Sequence, residues 1–264
     1  MKDYKLGLQV HSVREDFAAD PVRTMHRVRE MGYTGIEIPM GSITAANEGL
    51  IDKSGAFYRR AMNDAGLECY GVLTSWADFQ PEKLQRTIEL NYELGSGFLV
   101  IGSVPAKLVT NMDEVKAAVD NMLRALDVLR AEGITTGYHN HDSDFFNVIE
   151  GKTFFEHVFD NTPDDFVMLL DTGNALAGGF ESVPLLKKYP GRSPYLHIKG
   201  YSKEKDYLAY IGEDDFNWPE VIRCALDVGG AKIFDVEFGK RSDYDPFERA
   251  RSAYGVISRI LESM

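Results

Sequence analysis

The feature that most constrains this chain is a repeated pattern, in which short β-branched and apolar runs alternate with longer helical patterns at a spacing of mostly about 30 residues. Eight runs read as strands: Lys5–Val10, Gly35–Ile38, Glu68–Leu73, Phe98–Ile101, Thr135–His139, Val167–Leu170, Tyr195–Ile198 and Ile233–Val236. No Pro/Ser-rich linker or charge block interrupts them, so residues 1–264 are expected to form one domain. Eight strands alternating with eight helices predict an α/β fold, a single (β/α)8 TIM barrel. The competing architecture, an open doubly wound sheet, favours a Gly-rich first turn. Here Val10-His11-Ser12-Val13-Arg14 follows the first strand, and no G-x-G-x-x-G occurs anywhere.

Helix punctuation supports the alternation. Asp20-Pro21 is an N-cap followed by Pro at the first helical position, with Val22, Met25 and Val28 expected on one face. Asn111 with Glu114 opens a segment whose Val115, Val119, Met122, Leu126 and Leu129 recur at helical spacing. Asp245-Pro246 opens a last helix, with Phe247, Ala250, Tyr254, Ile257 and Leu261 on its apolar stripe.

Charge narrows the partners. Lys and Arg total 29 against 41 Asp and Glu, a net charge of −12, which repels phosphate backbones and makes nucleic acid a poor partner. Cys69 and Cys224 lie far apart without metal-ligand spacing, as reduced core residues of a cytoplasmic protein do. No apolar stretch approaches the roughly 18 residues needed to span a bilayer. P-loop, H-E-x-x-H and G-x-S-x-G patterns are also missing from the sequence.

In a (β/α)8 barrel the active site sits at the carboxyl ends of the strands, and there the polar residues collect. Gln9 and His11 end the first strand, Glu37 the second, and His139, Asn140 and His141 the fifth. Asp171 ends the sixth, His197 and Lys199 the seventh, and Glu237 the eighth. Four of the six histidines fall at these ends. Residues two apart share a strand face, which pairs Gln9 with His11, His139 with His141, and His197 with Lys199. Pointing inward together, Asp171, His197 and Glu237 would form a site for one divalent cation, Mn²⁺ first, with Mg²⁺, Co²⁺ or Zn²⁺ as alternatives.

Tyr138-His139-Asn140-His141-Asp142-Ser143-Asp144-Phe145, Leu170-Asp171-Thr172-Gly173-Asn174, Leu196-His197-Ile198-Lys199-Gly200, Ile211-Gly212-Glu213 and Val236-Glu237-Phe238 follow one another in a specific order. Together with Leu6–Arg14 and Met31–Glu37, this series resembles the sugar phosphate isomerase/epimerase branch of the xylose-isomerase-like TIM barrels. The resemblance implies a metal held by a Glu after strand five, an Asp after strand six, a His after strand seven and a Glu after strand eight. Asp171, His197 and Glu237 match the last three. The first departs, because the usual Glu-Asn-His is here His139-Asn140-His141. In the most similar sub-branch the run is His-Asn-His-x-x-Glu-Phe, and Asp144 stands in place of that Glu. Either His139 or Asp144 completes the coordination.

Such a site suits proton abstraction beside the carbonyl of a ketose or keto-sugar, through an enediolate. Glu237 is the expected base, with His139, His141 or Asp144 as the second acid/base. His11, Glu37, Asn140, Asn174 and Lys199 are candidate substrate contacts, and Trp76 is either an apolar wall for a sugar ring or a core residue. Lys240 and Arg241 are either a phosphate contact or a surface turn. A small sugar or keto-sugar is thus the expected partner, with no nucleic acid or membrane, and homo-oligomerisation is compatible with the sequence. The leading expectation is a metal-dependent isomerase or epimerase. A lyase or dehydratase on a keto-inositol or 3-keto-glycoside is the alternative, ahead of an apurinic endonuclease or a non-catalytic sugar-binding protein.

Overall fold

The computed structural model describes residues 4–39, 53–239 and 244–264. Eight strands close into a parallel barrel: β1 (Lys5–Gln9), β2 (Gly35–Pro39), β3 (Glu68–Thr74), β4 (Phe98–Ile101), β5 (Thr135–His139), β6 (Val167–Asp171), β7 (Tyr195–Ile198) and β8 (Ile233–Val236). Each strand pairs in parallel with its sequence neighbours, and β8 closes on β1 through Lys5↔Ile233 to Leu8↔Val236. Every expected strand is present, with ends within one residue of those read from the sequence. The TIM-barrel expectation is met.

Parallel pairing explains the composition of these strands, because both faces are covered and both must be apolar except where function intervenes. Two cores result. One lies between the sheet and the helices and takes in residues such as Leu8, Ile38, Met168 and Phe234. The other fills the barrel itself with Tyr70, Val100, Leu169, Tyr195 and Ile233. Tyr70 lies against Gly35 so closely that a β-carbon there would sit 2.4 Å from the ring. Tyrosines thus occupy volume that inward-facing glycines leave open, and this solid floor keeps the polar residues at the carboxyl end.

The expected helix starts hold. The side chains of Asp20, Asn111 and Asp245 accept from the backbone N–H groups of Arg23, Glu114 and Phe247, opening helices Pro21–Glu30, Met112–Ala131 and Pro246–Glu262. One face differs from the reading. Pro21, Thr24, Met25 and Val28 are the buried residues of the first of these helices, while Val22 is exposed, because residue 22 lies off the stripe that 21, 24, 25 and 28 define.

The connections are also more elaborate than one helix each. Between β5 and β6 the chain forms a short helix, Ser143–Phe146, and a hairpin of Val148–Ile149 with Lys152–Thr153. A further helix, Phe154–Asp160, completes the connection. The hairpin turns on Glu150 and Gly151, both at positive φ.

Gly137 on β5 faces Val167 of β6, and a β-carbon there would lie 1.9 Å from the Val167 carbonyl oxygen. Backbone cannot yield as a flexible side chain does, so Gly137→Ala should cost at least about 3 kcal/mol. Urea unfolding measures this, and a wild-type midpoint for the variant would contradict the close β5–β6 approach at Gly137.

Candidate metal centre

Four side chains from four consecutive strands meet above the barrel floor. His139 ends β5, Asp171 ends β6, His197 lies in β7, and Glu237 follows β8. One ligand atom from each lies within 4.8 Å of all the others, and all four residues are buried. Alternation along the strands explains the arrangement: His139 shares its face with Gly137, His197 with Tyr195, and Glu237 with Asp235.

Each ligand atom is aimed by a bond made elsewhere on its residue. The other ring nitrogen of His139, Nδ1, lies 3.2 Å from the Gly102 carbonyl oxygen, which turns Nε2 toward the cluster. Asp171 Oδ1 accepts from the Asn174 N–H at 2.8 Å, which turns Oδ2 inward. His197 Nε2 lies 3.1 Å from Glu37 Oε2, leaving Nδ1 to face Glu237 Oε2 at 2.8 Å. Glu237 Oε1 takes a 2.9 Å bond from Lys199 Nζ, leaving Oε2 for the cluster.

The four inward atoms, His139 Nε2, Asp171 Oδ2, His197 Nδ1 and Glu237 Oε2, are buried and lack a hydrogen bond. The His197–Glu237 approach is close but not aligned as one. Buried polar atoms are seldom left so, and leaving one unsatisfied costs about 1–3 kcal/mol. Two imidazoles and two carboxylates at this separation fit a divalent cation, with imidazole and carboxylate ligands as in many Zn²⁺ and Mn²⁺ sites.

The electrostatics agree. Burial, the largest single influence, would raise the Glu237 and Asp171 pKa values, but the Lys199 ammonium together with His197 at Glu237 and His139 at Asp171 outweighs it and holds both below their ordinary values. Both carboxylates are therefore ionised. Burial alone would lower the His197 pKa, and Glu37 and Glu237 more than reverse that, so Nδ1 competes for a proton that a cation would displace. Lys199 bridges the two carboxylates, at 2.9 Å from Glu237 Oε1 and 3.4 Å from Asp171 Oδ2.

Of the two candidates for the fourth ligand, only His139 belongs to the cluster. Asp144 is spent elsewhere, since its Oδ2 accepts from the His141 N–H at 2.8 Å and the Tyr138 hydroxyl at 3.0 Å. Its pKa is pushed up to about 6 by burial. His141 packs edge-on to His139 at 5.0 Å, with Nδ1 unpartnered. Burial and then His139 hold the His141 pKa down to about 4, so its ring is neutral.

The expected substrate contacts divide. Lys199 and His141 are beside the cluster. Asn140 and Asn174 are buried with their amides committed: Asn140 brackets the Asp171 peptide, accepting from its N–H at 2.8 Å and donating to its carbonyl at 3.1 Å. Asn174 Nδ2 donates to the Asn140 carbonyl oxygen at 3.0 Å. Glu37 is wholly buried behind His197. Trp76 is half-buried in the turn after β3 and packs against the outer core. His11 caps the barrel rim with Arg14 Nη1 2.7 Å from its Nε2. Lys240 and Arg241 lie outside the described residues.

Sequence reasoning missed two contributors. Asp235, two residues before Glu237, is buried below the cluster, and its Oδ2 accepts from the Tyr195 hydroxyl at 3.2 Å. Burial and then Glu37 push its pKa well up, so it is a neutral acid. The signal was an acid at an inward position of an apolar strand. Thr172 Oγ1 accepts from the Lys199 N–H at 2.9 Å and lies 3.0 Å from the Lys199 carbonyl, clipping the ends of β6 and β7 together.

Known proteins share this architecture. The inosose dehydratase of Geobacillus kaustophilus (strain HTA426) is 34% identical over 123 residues, 46% of this chain and 39% of that protein. The chain spans less than half the length of the curated relatives it matches. Among solved structures, a sugar phosphate isomerase/epimerase from Parabacteroides distasonis ATCC 8503 superposes with a TM-score of 0.82 at 24% identity, covering 99% of this chain and 96% of that one. An IOLI protein with a bound zinc atom gives 0.72 at 15% identity, covering 98% of each chain. At these identities the structural likeness speaks for the fold. A family model described as the xylose isomerase-like TIM barrel matches residues 25–259, nearly the whole barrel, and the chain belongs to that family.

Proposed function

We propose that this protein is a divalent-metal-dependent sugar isomerase or epimerase working through the enediolate of a ketose or keto-sugar. The observation that carries the reading is the set of four buried ligand atoms without a hydrogen bond that converge within 4.8 Å at the carboxyl end of the barrel. A divalent ion held by His139, Asp171, His197 and Glu237 would supply the positive charge that favours an oxyanion developing on the substrate.

The chain's own groups divide the remaining work. Glu237 is the base, because its carboxylate is held ionised and Oε1 shares its surroundings with a single donor, Lys199 Nζ. Lys199 donates toward the oxygen that gains charge. His141, neutral and with a free Nδ1, is the group able to carry a proton on the other side of His139. Asn140, Asn174 and Thr172 act on Asp171 and Lys199, fixing the ends of β6 and β7. Glu37 acts on His197, in the manner of carboxylates that orient ligand imidazoles from behind.

A second reading shares the first proton transfer. Loss of a β-leaving group from the same intermediate makes the enzyme a lyase on a keto-inositol or 3-keto-glycoside, and the 34% identity to an inosose dehydratase favours it. NMR in D₂O with Mn²⁺ and a panel of ketoses, 3-keto-glucosides and inososes separates the two. Exchange with inversion or carbonyl migration marks the first, and loss of water or of an alcohol marks the second. No exchange at any substrate carbon would rule out both.

Glu237→Gln should lower exchange by at least about 10²-fold while keeping the fold by circular dichroism, given the usual worth of a general base. Unaltered exchange would remove Glu237 from that role. For the ligand set, His139→Ala should weaken Mn²⁺ binding in calorimetry by far more than Asp144→Asn does; the reverse order would move the fourth ligand to Asp144. Glu37→Gln should weaken the same binding by about 10–100-fold without removing any metal contact, and wild-type affinity would show that Glu37 does not orient His197.

A further inference from the structure

We propose that the cleft beside the cluster is an anion subsite, in which Arg14 and Arg249 receive a phosphate or carboxylate borne by the substrate. This deepens the reading of the cluster as a site for keto-sugars and rests on it.

The cleft holds about 280 Å³, near the lower end of small-ligand pockets at ~300–1,000 Å³, and its walls include His11, Arg14, Phe238 and Arg249. It adjoins the catalytic end of the barrel, since Phe238 directly follows Glu237 and its N–H is fixed to Ser12 Oγ at 3.0 Å. The charges of Glu237 and Lys199 are both felt at His11.

Two guanidinium groups border this space without a counter-ion among the described residues. Arg249 is only 5% exposed, yet it makes no ion pair among the described residues. Its Nη2 donates to the carbonyls of Tyr207 at 2.7 Å and Ala209 at 2.9 Å. The guanidinium carbon stands 4.8 Å from the centre of the Phe238 ring and 5.6 Å from that of Tyr210. Carbonyls and ring faces satisfy part of a buried cation, but its charge calls for an anion. Arg14 has His11 Nε2 as its partner at 2.7 Å and likewise makes no ion pair among the described residues. Burial and then Arg14 hold the His11 pKa below its usual value, so the ring accepts from Arg14 as a neutral group and leaves the cationic charge uncompensated.

Two acids also border the cleft. Asp16 is paired with Arg27 at 3.5 Å, and Glu15 is an exposed residue. Neither offers a carboxylate to Arg14 or Arg249. Phosphate and carboxylate are the planar or tetrahedral oxyanions that guanidinium forks hold best.

The test compares three matched substrates on the Mn²⁺-loaded full chain: a neutral ketose, the same ketose phosphorylated at its far end, and the corresponding keto-uronate. Proton exchange in D₂O should show kcat/KM for one of the anionic substrates at least about 10-fold above the neutral one, as charge-assisted bonds usually give. That preference should fall toward unity in Arg14→Gln, through KM, and recover in part in Arg14→Lys. Which anion is preferred identifies the substituent. A preference equal in wild type and Arg14→Gln overturns the proposal. Inorganic phosphate and acetate titrated by calorimetry into both proteins provide a readout independent of turnover. Binding weakened about 10-fold or more in Arg14→Gln supports the subsite even where no sugar exchanges, in which case the failure belongs to the catalytic reading. Anion binding that ignores Arg14 counts against the subsite itself.

Discussion

Two ionised carboxylates and two imidazoles cannot be buried together at the top of a barrel without positive charge to offset them. In water Asp171 and Glu237 would be solvated; here both are buried, and Lys199, with His197 beside Glu237, offsets only part of their charge. Coulomb repulsion between carboxylates in a partly desolvated site grows as the effective dielectric falls. One inward atom of each of these four side chains also lacks a hydrogen bond, at about 1–3 kcal/mol for a buried unsatisfied group, against the 5–15 kcal/mol that stabilises an ordinary domain. A divalent cation held by the four side chains, as proposed above, would reverse the sign of that balance.

The rest of the barrel serves to hold that arrangement still. Each ligand is a side chain with two usable atoms, and in each the second atom is tied: to the Gly102 carbonyl for His139, the Asn174 N–H for Asp171, Glu37 for His197 and Lys199 for Glu237. Asn140 goes further and binds the peptide of Asp171 on both sides, so that β5 and β6 carry their ligands as one unit. Below them Tyr70 and Tyr195 fill the barrel, which blocks water from beneath and leaves the carboxyl end as the way in. Orientation is thus settled before substrate arrives, the condition under which a charged site helps a transition state most.

The sequence made the barrel and the cluster legible for the same reason: both depend on residue period. Parallel strands, spaced by helices, place His139, Asp171, His197 and Glu237 at equivalent ends, and the spacing locates those ends. What spacing does not carry is local hydrogen-bond competition. Asp144 and His139 are equally plausible ligands until the turn at 140–144 forms, when the His141 N–H and the Tyr138 hydroxyl capture Asp144. Glu37, Asn140 and Asn174 looked like substrate contacts because they are polar residues at strand ends. Only three-dimensional pairing shows that their polar atoms face other residues of the site. Val22 went astray on a smaller scale, where a step of three fitted the helix period but not the stripe that the packed face chose.

The His139 substitution changes what the site can do. With an imidazole in place of a carboxylate ligand, a metal-loaded cluster would be one unit more positive than the Glu-bearing pattern it resembles. Lys199 adds its ammonium at the same edge, 2.9 Å from Glu237. A more positive centre lowers the energy of an oxyanion formed beside it, whether that oxyanion then takes back a proton or expels a leaving group. In the proposed chemistry the divergence between isomerase and lyase would fall after the proton transfer at the cluster. It would pass to groups around the substrate, His141 near His139 and the proposed anion cleft next to Glu237, where the shape and charge of the sugar would decide which bond is aligned to break.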